Sequence, residues 1–117
     1  MVDPKIRLQR AQSALYERLR EAIASLSDEE LASLNATEAI LARGKKDATI
    51  LIDSSGVAPS ERARLLSKLK KASGYIGSYI AAAQGWRQAP ALHFKFDESL
   101  ESAARLDAIF ARIKEDK

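Results

Sequence analysis

The sequence predicts an α+β domain on three observations. Leu8, Ala11, Leu15, Leu19, Ala22, Ile23 and Leu26 recur at three- and four-residue spacing and make one helical stripe. ATILID, residues 48–53, has the β-branched apolar run of a buried strand. ALHFKF, residues 91–96, alternates, with Leu92, Phe94 and Phe96 on one face and Ala91, His93 and Lys95 on the other. The expected order is helix, strand, strand, helix, interrupted helix, strand, helix.

The first helix is expected at about residues 4–26, with Asp3 as its N-cap and Pro4 in the first turn, where a missing amide is harmless. Ser27 and Glu30 have the form of a capping box, so a short helix through about Leu34 follows. Local sequence leaves Ala36–Ala42 open between helix and strand, although the strand at 48–53 wants a neighbour across the turn at Gly44. SSGVAPSER closes that strand, and Pro59 starts a helix whose stripe is Leu65, Leu69, Ala72, Ile76, Ile80 and Ala83, ended by Gly85. Asp97 is placed to cap a last helix, about 98–114, with Leu106, Ile109, Phe110 and Ile113 expected inward.

The 117 residues suit a single domain, with a core over about 4–97 followed by the last helix. With no cysteine, disulfides, thiolate metal sites and thiol nucleophiles are excluded. MVDPKIRLQR lacks the apolar core of a signal peptide, and no apolar run approaches the roughly 18 residues that span a bilayer, so a cytoplasmic protein without membrane contact is expected. The 19 Lys and Arg against 16 Asp and Glu give a net charge of +3, a mild pointer to a polyanionic partner.

Gly74 and Gly77 interrupt the long helical stripe, each at about 1 kcal/mol relative to alanine. A helical wheel puts Gly74 opposite the stripe, with Ser67, Lys70 and Ser78 near it and Lys71 and Gly77 to either side. Two roles are compatible with that position. Gly74 can break the helix in two, and its bare backbone can admit a phosphate beside the amides of a half-helix starting there. The charges support the second role: Arg62, Arg64, Lys68, Lys70 and Lys71 precede the glycine, and Arg43, Lys45 and Lys46 cluster in the hairpin turn.

Over residues 65–110 the sequence resembles the ribosome-binding factor A family. Ala72-Ser73-Gly74 matches that family's Ala-x-Gly interruption, which replaces the Gly-x-x-Gly loop of type II KH domains. Arg87, Pro90, Leu92 and Phe94, then Asp97, Ser99 and Arg105, match the spaced residues of its C-terminal motif, whereas Gly77 stands where members often carry arginine. The resemblance implies a KH-like αββααβ domain with a three-stranded sheet, helices on one face, a helix-kink-helix at residues 72–74, and a strand near 36–42. It also implies a monomer that binds the free small (30S) ribosomal subunit and 16S rRNA during late maturation. Assistance with 5′-end processing, a role in the cold, and an assembly GTPase as a partner come with it. The RNA-binding set expected is Arg43, Lys45, Lys46, Arg62, Arg64, Lys68, Lys70, Lys71, Ser73, Gly74 and Arg87.

The remaining candidates carry little chemistry. His93 is the only histidine and has no companions for a metal site, so no metal or other cofactor is expected. Tyr75, Tyr79 and Trp86 can stack on bases or cover the core, and the second is the commoner use. Glu29 with Glu30, and Glu98 with Glu101, sit at helix starts where the macrodipole favours carboxylates. Ser54-Ser55-Gly56 is a turn without the Gly-Lys-Ser pattern of a nucleotide loop. No catalytic constellation emerges, and a non-enzymatic binding protein is expected. The competing function is a protein-interaction adaptor that uses an exposed sheet edge or the His93 and Lys95 face.

Overall fold

The computed structural model describes residues 3–115. Helix α1 (Pro4–Ala24) begins where Asp3 accepts a hydrogen bond from the Lys5 amide at 2.9 Å. A single turn, α2 (Glu29–Ala32), is capped by Asp28. Strands β1 (Ala36–Leu41) and β2 (Asp47–Asp53) form the hairpin, helix α3 (Pro59–Gln84) crosses over, and β3 (Ala91–Asp97) leads into α4 (Ser99–Glu115). The sheet order is β1-β2-β3, antiparallel between β1 and β2 and parallel between β2 and β3. Residues 36–41 are therefore a strand, as the resemblance implied.

The core lies between one face of the sheet and the helices α1 and α3. Leu15, Leu19 and Ile23 of α1, Leu69, Ile76 and Ile80 of α3, and Ile50 and Ile52 of β2 are all fully buried. Two side chains of α1 tie the ends of the β1 edge: Tyr16 Oη donates to the Ala36 carbonyl at 2.9 Å, and the Leu41 amide donates to Gln12 Oε1 at 2.9 Å. At the far end, buried Ser54 donates through both its amide and its hydroxyl to the Asp97 carbonyl, tying the ends of β2 and β3 together.

The break into two helices expected at Ala72-Ser73-Gly74 does not appear; α3 is one helix through both glycines, and the two crossover helices of αββααβ are here a single element. Among the described glycines, only Gly56 and Gly85 have positive φ. Energetics explain the continuity. Two helical glycines cost about 2 kcal/mol together, whereas burying each of Leu69, Ile76 and Ile80 stabilises by about 1.5–3 kcal/mol. The stripe on either side of Gly74 keeps one phase, so packing holds the helix through its weak point. Gly85 in the left-handed conformation (φ 67°) then ends α3, with the Trp86 amide donating back to the Ala81 carbonyl at 2.8 Å.

Two further expectations are overturned. Gly77 does not lie outside: it is buried, and a Cβ there would come within 3.2 Å of Ala89 Cβ, so its bareness lets the 86–90 connection close onto the helix. The apolar residues of α4 do not point inward either. Leu106, Ile109, Phe110 and Ile113 are 52–59% exposed, because α1 and α3 already occupy the covered face of the sheet and Glu98 alone separates β3 from α4.

The packing sets a contrast that equilibrium unfolding in denaturant can read. Ile76→Ala should lower stability by about 2–5 kcal/mol, whereas Phe110→Ala should change it by less than about 0.5 kcal/mol. Equal losses at both positions would show that α4 packs on the body of the protein.

Candidate nucleic-acid interface

The cations of α3 divide into two groups along the helix. In the first half, acids take them up. Arg62, only 16% exposed, pairs with Glu98 at 2.9 Å and Glu101 at 2.8 Å, donates to the Val57 carbonyl at 3.2 Å, and lies over the Phe96 ring at 5.9 Å. It clamps the base of α4. Arg64 pairs with Glu30 and Glu61, each at 2.6 Å, and Lys68 pairs with Asp28 and Glu30. Hydrogen bonds from Arg64, then from Lys68, hold the Glu30 carboxyl down to about 2. The same contacts raise the Arg64 and Lys68 pKa values through Glu30 and Asp28 respectively. These three side chains, expected at an RNA surface, are engaged in holding α2 and α4 against α3.

Beyond Lys68 the surface changes character. Lys70 and Lys71 are exposed and make no ion pair among the described residues. The Ser73 hydroxyl donates to the Lys70 carbonyl at 2.6 Å, which folds it back onto the helix. Gly74 is exposed, and a Cβ added there would meet nothing within 4 Å. No positive φ and no close neighbour demands glycine at this position, yet alanine would favour the helix by about 1 kcal/mol. The half-helix start expected to present free amides is absent, since those amides lie inside a continuous helix. What remains is open backbone surface.

That surface is one wall of a groove of about 430 Å³. Ser73, Gly74 and Ser78 of α3 face Arg87, Pro90 and Leu92 across it. The parallel register adds donors and acceptors. The Ala91 amide donates to the Lys46 carbonyl, and the Ser54 amide to the Asp97 carbonyl, so the odd-numbered residues of β3 face β2. Leu92 and Phe94 therefore turn their backbone N–H and C=O groups toward the outer edge, along the groove. Sequence reading missed this edge, because its direction depends on the pairing of β2 with β3.

Arg43, Lys45 and Lys46, in the β1–β2 turn, are exposed and make no ion pair among the described residues. The Lys46 carbonyl holds Ala91, so the turn lies at the sheet end where the groove's strand wall begins. The aromatics divide: Trp86 and Tyr79 pack against the core, with Tyr79 Oη donating to Glu21 at 3.3 Å, while Tyr75 is 53% exposed. His93 pairs with Asp47 at 2.9 Å, and no group of three metal-ligating side chains occurs among the described residues.

A family model described as Ribosome-binding factor A matches residues 7–110. The chain belongs to the ribosome-binding factor A family. It is 38% identical over 117 residues to the Ribosome-binding factor A of Wolinella succinogenes, covering all of this chain and 98% of that one. It is 44% identical to that of Helicobacter pylori strain J99 over 93% of each. The solution NMR structure of a Thermotoga maritima protein, provisionally described as a ribosome binding factor A, superposes with a TM-score of 0.55 at 21% identity, over 78% of this chain and 83% of that one, and shows the fold. Of the motif residues that resemble the ribosome-binding factor A family, Arg87, Pro90 and Leu92 line the groove, Phe94 packs against the core, and Asp97 accepts hydrogen bonds from Thr37 and Ser99.

The ion pairs at Glu30 carry a pH dependence whose sign is fixed. A carboxyl held down in the folded protein stabilises it above the ordinary glutamate value near 4.5 and loses that contribution as pH falls toward about 2. Acid unfolding should therefore be less steep across that window in Glu30→Gln than in the parent protein. Identical profiles would mean that solvent screens the pairs completely.

Proposed function

We propose that this protein is a non-enzymatic ribosome-binding factor of late small-subunit maturation, which binds the free pre-30S particle and its 16S rRNA through the groove between α3 and β3. The observation that carries the RNA contact is Gly74: an exposed helical glycine without a packing neighbour, across from Arg87 and beside Lys70 and Lys71, which make no ion pair among the described residues. Such a position weakens the fold and benefits it nowhere, so its use lies in what approaches it. A sugar-phosphate backbone fits, because it needs close access to main chain and cations at the rim more than it needs base-specific side chains. Free edge groups of β3 stand where unstacked bases would present their own donors and acceptors.

In this reading Lys70, Lys71, Ser73, Gly74 and Arg87 form the groove contact, and Arg43, Lys45 and Lys46 add positive charge toward the RNA at the same end of the sheet, outside the groove itself. Arg62, Arg64 and Lys68 act by shaping the helix that carries it. Assistance with 5′-end processing of 16S rRNA, importance in the cold, action as a monomer in the cytoplasm and cooperation with an assembly GTPase rest on family membership. No helix among the described residues is long and apolar enough to cross a membrane. An adaptor that needs no RNA would use the open β3 edge or the His93 and Lys95 face, since on the β1 edge Tyr16 and Gln12 already occupy the Ala36 carbonyl and the Leu41 amide.

Gly74→Ala separates fold from function, since the two effects have opposite sign. Equilibrium unfolding should show a gain of about 1 kcal/mol, while affinity for small-subunit particles falls at least severalfold. Lys70→Glu with Lys71→Glu should abolish binding without unfolding, and binding of the parent protein should weaken as salt rises. Unchanged particle affinity in both variants would remove RNA from the groove and leave the adaptor.

A further inference from the structure

A second basic surface lies on the other edge of the sheet. Lys5 and Arg7 of α1 and Arg43 and Lys45 of the β1–β2 turn line a cleft of about 420 Å³, floored by Pro4 and Leu8. Its one carboxylate, Asp3, accepts from the Lys5 amide at 2.9 Å and so serves the helix cap. None of the four cations makes an ion pair among the described residues, in contrast to Arg62, Arg64 and Lys68 on α3. Gathered without counter-charges, they repel one another, and an incoming anion relieves that repulsion.

Lys45 adds an independent sign of purpose. Its φ is 58°, in the left-handed region, and Gly44 stands immediately before it with a negative or extended φ. Glycine adopts the left-handed region at little cost, and a lysine does not. The turn thus spends its strained position on a cation that lines the cleft.

The position of the cleft selects its partner. The turn is joined to the start of β3 by the Lys46–Ala91 hydrogen bond of 2.8 Å, and Pro90 and Ala91 belong to the groove beside Gly74. Cleft and groove therefore sit at the same end of the sheet, on opposite edges. We propose that the cleft is a second phosphate-backbone site, so that the protein clasps two separate segments of one folded RNA. This rests on the RNA-binding reading of the groove and adds that the bound RNA presents phosphate to both edges of the sheet. It also assigns binding roles to Lys5 and Arg7, which lie outside the basic clusters visible in the sequence.

The test compares the full chain with Lys5→Gln/Arg7→Gln on two probes, small ribosomal subunits and a single-stranded tetranucleotide, which is the length a KH-type groove clamps. The double variant should keep the parent melting temperature, bind subunits at least fivefold more weakly, and show a log-log salt dependence shallower by about 1.5, roughly 0.7–0.9 for each phosphate that is no longer neutralised. Its affinity for the tetranucleotide should not change. Lys45→Gly should melt no lower than the parent and still bind subunits more weakly. If the parent binds subunits and the double variant matches it in affinity and salt dependence, the second site is wrong and the groove stands. Equal losses on both probes would also overturn it, showing a general charge effect. A parent protein that binds neither probe would overturn the RNA reading itself.

Discussion

The parallel pairing of β2 with β3 is the constraint on which the rest of the molecule depends. Two parallel neighbours cannot be joined by a tight turn, so the chain must return along the whole sheet before β3 can start. Helix α3 makes that return, and its 26 residues span about 39 Å at the usual helical rise, more than a seven-residue strand covers. Leu65, Leu69, Ile76 and Ile80 fix its rotation by facing the core. Once the rotation is fixed, Gly74 must face outward beside the β3 edge, and the groove follows from fold geometry.

Charge is organised along the same helix. At its start, close to the Asp97 end of the sheet, acids from α2 and α4 neutralise Arg62, Arg64 and Lys68. Exposed pairs of this kind add little stability. Their effect is to set where α2 and α4 sit and to leave Lys70 and Lys71 as the cations of α3 without an ion pair among the described residues. A net charge of only +3 thereby still leaves a basic surface on α3 next to Gly74. The exposed apolar stripe of α4 is separate from this surface and is attached to the body through the Arg62 clamp.

Most of the architecture was legible in residue patterns. Alternation placed β3, the β-branched run placed β2, and stripe periodicity placed α1 and α3 with their buried residues. Three features were not, each for a physical reason. Glycine in a helix signals weak local propensity, but long-range burial at Leu69, Ile76 and Ile80 overrode it, and the expected break became continuous helix. The amphipathic pattern of α4 shows which face is apolar without showing whether anything covers it. The ion pairs that tie Arg62, Arg64 and Lys68 to α2 and α4 join residues 30 to 40 positions apart, so a count of lysines and arginines could not reveal which were already engaged. The family motif at Arg87, Pro90 and Leu92 did point to the groove, although the open backbone edge behind it emerged only with the strand register.

The central claim is that ribosomal RNA enters the groove at Gly74. Amide chemical shifts of the isotope-labelled protein, followed while a 16S rRNA fragment is added, test it most directly. The account predicts the largest shifts at Ser73, Gly74, Arg87 and Leu92, with the amides around Arg62 and along α4 little affected. Shifts concentrated on α4 or on the open face at His93 and Lys95, with the Gly74 amide unmoved, would contradict it.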